Sequence, residues 1–136
     1  MAGLDPGPLP PALRATHELV LAGIAIRRLQ SSAARDALAR AGQAAGQAGI
    51  AALMAEVEQA VRLLDAPAAR LIAQGEERPL RLDEVEALLG STALVVDACR
   101  YVVRGCGMSV SLATRPVLFC LVRALAEAWP GDVSRE

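Results

Sequence analysis

The sequence predicts a mainly α chain: an N-terminal antiparallel helical bundle or helix-pair repeat, followed by a small β-hairpin and helix unit. Two observations predict it. From Leu13 to Leu64 apolar residues recur at helical rather than strand spacing, in a stretch rich in alanine. β-Branched residues cluster later, in Leu94-Val95-Val96-Asp97, Tyr101-Val102-Val103-Arg104 and the alternating run Met108-Ser109-Val110-Ser111-Leu112. The 136 residues are 54% hydrophobic and 21% charged, so a folded chain of one ordinary domain, or two small ones, is expected. Trp129, Tyr101 and Phe119 are the only aromatics. The core must therefore be built from Ala, Leu, Val and Ile, and stacking platforms for single-stranded nucleic acid or sugars are not expected.

Residues 1–11 carry four prolines and two glycines and read as a flexible arm. Pro10 and Pro11 suit the first positions of a helix, where a missing N–H costs nothing. That helix runs from Ala12 to about Gln30, with Leu13, His17, Val20 and Ile24 on one stripe. Leu19, Ile26 and Leu29 widen the stripe, so cover on more than one side is expected. Ser31 or Ser32 can cap a second helix to about Ala45, punctuated by Gly46 and Gly49. A third spans Ile50 to Leu64, its apolar face formed by Ile50, Leu53, Met54, Val57, Ala60, Val61 and Leu64. Asp65 as N-cap and Pro67 in the first turn then open a short fourth helix to about Ala73, completing a helical module over residues 12–75. Ala33-Ala34-Arg35 recurs as Ala68-Ala69-Arg70, 35 positions on, close to the period of tetratricopeptide-like helix pairs, which this region resembles in spacing. The aromatic and proline positions of that repeat are absent. Antiparallel helices packed through small residues is the form the alanines support.

Residues 76–92 form a connection, polar from Glu76 to Pro79, with a short helix Glu84–Leu89 capped by Asp83 and closed by Gly90. The three strands follow, with Gly105-Cys106-Gly107 as the turn between the last two. Thr114 can cap a final helix with Pro116 early in it, its buried side formed by Val117, Leu118, Leu121, Val122 and Leu125. Trp129 ends it, Pro130-Gly131 is a turn, and Ser134-Arg135-Glu136 reads as the opening of another helix.

Short strands, Leu112, a capped apolar helix, a Pro-Gly turn and Val133-Ser134-Arg135-Glu136, in that order, resemble the winged helix-turn-helix DNA-binding domain of bacterial response regulators. The resemblance covers residues 93–136 and rests on Leu118, Leu121, Leu125 and Val133 to Glu136 together with the strands. Ala113 and Pro116 depart from the family, which usually has Thr and Glu there. The family's recognition helix and C-terminal wing have no counterpart in these residues, so the unit resembles an incomplete winged helix. The resemblance implies a cytoplasmic bacterial transcription regulator, or a piece of one, with a helical association or sensing module. DNA is then a partner only if the chain continues beyond Glu136. The alternative is a dimerisation or adaptor module that binds protein and not DNA.

Net charge is −1 and the isoelectric point about 5.9, so no overall basic field advertises nucleic acid or membrane. Locally, Arg100, Arg104, Arg115 and Arg123 occur without an acid between Ala98 and Leu125, whereas acids dominate from Glu76 to Glu86. Both read as solvated faces. Arg115 and Arg135 stand at helix starts and are the candidates for contact with DNA phosphate. Three cysteines and one histidine make neither a disulfide framework nor a zinc site, and fit a reducing cytoplasm. The start lacks a signal peptide, and the apolar run Leu19 to Ile26 is far below the roughly 18–20 residues that span a bilayer. No membrane partner, cofactor or metal is expected. His17 reads as a core-edge residue, Cys99 and Cys120 as core thiols, and Cys106 as an exposed thiol at the hairpin tip. Glu56 and Glu58 lie on different sides of their helix, and nucleotide-binding and hydrolase motifs are absent, so no enzyme is expected. Apolar residues on two sides of the first helix predict a homodimer through Val20, Ile24 and the Ala37-Ala41-Ala44 stripe.

Overall fold

The computed structural model describes residues 9–131, which divide into two compact units. Helices dominate, accompanied by two small antiparallel sheets. The first unit holds the described residues through Pro67 together with Arg81–Asp83; the second holds Ala68–Leu80 and Glu84 onward.

Three helices build the first unit: α1 (Pro11–Arg27), α2 (Ser31–Ala48) and α3 (Ala51–Asp65). Pro11 opens α1, where its locked φ suits the first turn. Ser31 is already helical and Gln30 stands at the N-cap without a side-chain hydrogen bond, which corrects the expected serine cap. Gly46 does not interrupt α2. The helix continues to Ala48 and stops at Gly49, whose φ of 66° a residue with a Cβ rarely adopts. An internal glycine costs a helix roughly 1 kcal/mol, and α2 keeps its course here, with Ala44 and Ala45 just before Gly46 both buried.

The core of this unit is largely alanine. Ala22 and Ala25 of α1 meet Ala34, Ala37 and Leu38 of α2, with Leu64 and Leu82 completing the cluster. A second cluster joins Ala15, Ala41, Ala44, Ala45 and Val57. Methyl side chains let helix axes approach toward the short end of the usual 8–10 Å range. Arg35 Nη2 lies 3.6 Å from both Asp65 Oδ1 and Asp83 Oδ2, linking α2 to the end of α3 and to Asp83 near the start of α4 (Leu82–Gly90).

The second unit corrects the expected fourth helix. Residues 69–73 form strand β1 (Ala69–Ala73), and the expected polar connection supplies β2 (Glu76–Leu80), paired with it antiparallel. Asp65 ends α3 rather than capping a new helix, and Ala66, before Pro67, is extended with ψ 157°. Proline disfavours the helical region for the residue it follows. Gln74 and Gly75, with φ of 54° and 77°, form the two-residue turn of the hairpin. Arg70 Nη1 and Glu77 Oε1 lie 2.8 Å apart across it. Ala33-Ala34-Arg35 therefore lies in a helix and Ala69-Arg70 in a strand, so the two segments are not copies of one structural repeat.

Strands β3 (Val95–Asp97), β4 (Val102–Gly105) and β5 (Met108–Ser111) form an antiparallel sheet in that order, with Val96, Val103 and Val110 in one cross-strand row. Asp97 Oδ1 accepts hydrogen bonds from the backbone N–H of Cys99 and Arg100 at 3.0 and 3.1 Å, which shapes the β3–β4 connection. Helix α5 (Pro116–Ala128) follows. Arg115, not Thr114, stands at its N-cap, and no side chain caps it. Its inward residue is Phe119, whose ring meets that of Tyr101 at a centroid distance of 4.8 Å and a tilt of 57°. The expected buried side is wrong: Val117, Leu118, Leu121 and Leu125 are exposed and Val122 half-buried. The helix expected to open at Ser134 lies outside the described residues.

Candidate functional site

The first helix has two apolar faces and covers one. Ala15, Glu18, Ala22 and Ala25 point into the unit. Leu13, Val20 and Ile24 lie on the opposite side of the helix, with Val20 57% exposed. Helical periodicity makes this separation unavoidable, because both sets repeat at intervals of three and four residues about half a turn apart. His17 is half-buried on the outward side, and its Nδ1 has no hydrogen-bond partner among the described residues.

Charge is distributed unevenly around this helix. Its one acid, Glu18, is turned inward and is 5% exposed. Glu18 Oε2 lies 2.9 Å from Arg40 Nη2, and this close pairing with the carboxylate raises the Arg40 pKa above its ordinary value. Arg14 donates from Nη2 to Gln47 Oε1. Arg27 of the last turn and Arg28 at the C-cap are exposed and have no ion-pair partner among the described residues. The outward face of α1 is therefore apolar with cations at its C-terminal end.

On α3, Leu53, Val57, Ala60 and Leu64 pack into the two core clusters. Ile50, Met54 and Val61, expected on the same face, remain exposed on its flank. Glu58 adjoins them, exposed and unpaired among the described residues. This surface was legible as apolar spacing but not as surface, because spacing does not say how much of a face the neighbours cover.

The predicted dimer residues separate into two groups. Val20 and Ile24 are on the outward face of α1. Ala37, Ala41 and Ala44 are not available: they are 2%, 0% and 5% exposed, filled by α1 of the same chain and by Val57. Alanine stripes serve intramolecular helix packing as readily as association, and here the former uses them.

In the second unit, Arg115 is exposed, and its carbonyl accepts a hydrogen bond from the Phe119 N–H at 3.0 Å. Arg135 lies outside the described residues. Arg123 Nε is 2.6 Å from Glu127 Oε1, and that hydrogen bond raises the pKa of Arg123. Cys106 is exposed in a two-residue turn with Gly107, φ 50° and 76°. Cys99 and Cys120 are exposed too, which corrects their expected place in the core. Trp129, 69% exposed, extends the uncovered apolar face of α5. Among the described residues no group of three or more His, Cys, Asp or Glu could hold a metal ion, and no helix is long and apolar enough to cross a membrane.

Comparison with family models, curated proteins and solved structures returns no match to this chain.

Proposed function

We propose that the chain is part of a bacterial transcription regulator, with α1–α3 as an association module and the unit β3–β4–β5–α5 as an incomplete winged-helix scaffold. One observation carries the reading. A three-stranded antiparallel meander with a two-residue turn runs through Leu112 and the turn at Ala113-Thr114 into an apolar helix, in the order the winged-helix resemblance implies. Leu112 donates its N–H to the Tyr101 carbonyl at 2.7 Å, so the chain leaves the sheet beside the start of β4. In this reading Arg115 supports phosphate contact from the start of α5, and the recognition helix and wing that read DNA in this family are assigned to none of the described residues.

The second reading, a protein-binding module without DNA contact, is favoured by the uncovered apolar faces of α1 and α3. Both readings include self-association through Val20 and Ile24. A mobility-shift titration separates them. Residues 1–136 alone are expected to show no sub-micromolar, sequence-selective binding to duplex DNA, since net charge is −1 and a recognition helix is not among the described residues. A longer natural polypeptide that contains residues 1–136 together with a recognition helix should acquire such binding; one that associates with itself yet ignores DNA rejects the regulator.

A further inference from the structure

Two helices of the first unit carry matching ridges of opposite charge. On α1 and its C-cap residue, Val20, Ile24 and Arg28 follow one another at intervals of four residues; on α3 and its N-cap residue, Ile50, Met54 and Glu58 do the same. Each triplet runs apolar, apolar, charged in the same chain direction, and all six side chains are exposed. Arg28 and Glu58 have no ion-pair partner among the described residues. Ridges spaced by four are the rows that interdigitate in the commonest helix packings.

We propose that a second copy of this chain covers both faces: the α1 ridge of one copy seats against the α3 ridge of the other, and two-fold symmetry repeats the contact. The inference rests on the self-association reading above and names its interface. Running the two helices in the same direction sets Val20 beside Ile50, Ile24 beside Met54 and Arg28 beside Glu58. Pairing α1 with α1 buries Val20 and Ile24 but leaves Ile50 and Met54 uncovered and Arg28 without an acid, because Glu18, the acid of that helix, is turned inward to Arg40. Pairing α3 with α3 buries Ile50 and Met54 but leaves Val20 and Ile24 of α1 uncovered. The mixed contact satisfies both charges, and opposite charges across an interface set which surfaces meet and in what register. The contact is isologous as a whole, since each copy contributes both ridges.

Charge reversal tests it on the full chain. Arg28→Glu alone sets Glu against Glu at both contacts, and Glu58→Arg alone sets Arg against Arg. Each is expected to weaken the dimer at least about tenfold, read by light scattering at low micromolar concentration. Mixed one to one, the two variants should form a heterodimer in which both contacts are complementary again. Both positions are exposed, so helical content by circular dichroism should not change. Ile24→Glu serves as the third variant, because it disrupts any association through α1. A wild-type mass of 14.2 kDa rejects self-association itself, and the inference with it. A wild-type dimer that Ile24→Glu dissociates and the charge variants do not rejects only the pairing of α1 with α3. Species larger than a dimer reject the two-fold closure.

Discussion

Glu18 and Arg40 face each other with unequal solvation: the Glu18 side chain is 7% exposed and that of Arg40 53%. Removing either partner therefore has a different consequence. Arg40→Ala leaves a carboxylate in an alanine interface with no cation, which is expected to cost about 2 kcal/mol, below the range for fully buried pairs because water reaches the arginine side. Glu18→Ala extends the alanine surface while Arg40 turns to water, and is expected to cost less than about 1 kcal/mol. Urea midpoints of the two variants compare them, and equal losses contradict the asymmetry. The pairing raises the pKa of Arg40 in the folded chain, so its contribution is fully present below the unfolded value and lost only as pH rises through the folded one. Stability from this group should thus be flat across the neutral range. Gly42 offers the opposite case. A Cβ there would lie 3.8 Å from Val57 Cγ1, an ordinary contact, so Gly42→Ala should stabilise by roughly 0.5–1 kcal/mol through helix propensity. A lower thermal midpoint would show that α2 and α3 cannot accept the added methyl.

At the scale of elements, α5 separates what is apolar from what is buried. Phe119 is 3% exposed and meets Tyr101, whereas Leu121 points outward. Phe119→Ala is expected to cost about 3 kcal/mol, and Leu121→Ser under about 0.5 kcal/mol. Equal losses in a denaturant titration would mean that the leucine face is covered in solution. The hairpin β1–β2 shows why one element escaped the sequence and another did not. Both hairpins turn on two residues with positive φ, Gln74-Gly75 and Cys106-Gly107. Such turns usually announce themselves as Asn-Gly or Asp-Gly, and this chain contains no asparagine. The second turn was legible because alternation in Met108 to Leu112 stood beside it. The first was obscured by Asp65 and Pro67, which read as helix-opening residues, and by the charged run Glu76-Glu77-Arg78, which hides a strand with little to bury.

For the whole molecule, the proposed association through the uncovered faces of α1 and α3 would make stability a function of concentration. A chain that associates through its native state gains stability by mass action. The thermal midpoint should therefore rise with protein concentration from low to high micromolar, and Ile24→Glu should abolish the rise. A midpoint independent of concentration for the wild type argues that these faces stay in water. The same logic explains why the candidate site was half legible. Leu13, Val20 and Ile24 appeared in the sequence as a surplus apolar stripe, and the stripe is exposed. Ala37, Ala41 and Ala44 appeared equally suited to an interface, yet α1 fills the space above them.

By itself the sequence determined the mainly helical composition, the three long helices to within a few residues, the late strands and the all-arginine, nearly neutral charge pattern. Periodicity and glycine placement are local properties, and local properties survive reading one residue at a time. Tertiary structure alone decided which apolar residues lie inside. Alanine faces carry little partner preference, so the match of α1 to α2 rests on Leu19, Ile26, Leu29 and Leu38 packed among the alanines, on the short connection Arg28–Gln30 and on Glu18 meeting Arg40. It also decided that residues 69–80 pair as strands, because a hairpin with few buried side chains is specified by the backbone hydrogen bonds between its two halves, and those join residues that the sequence holds apart.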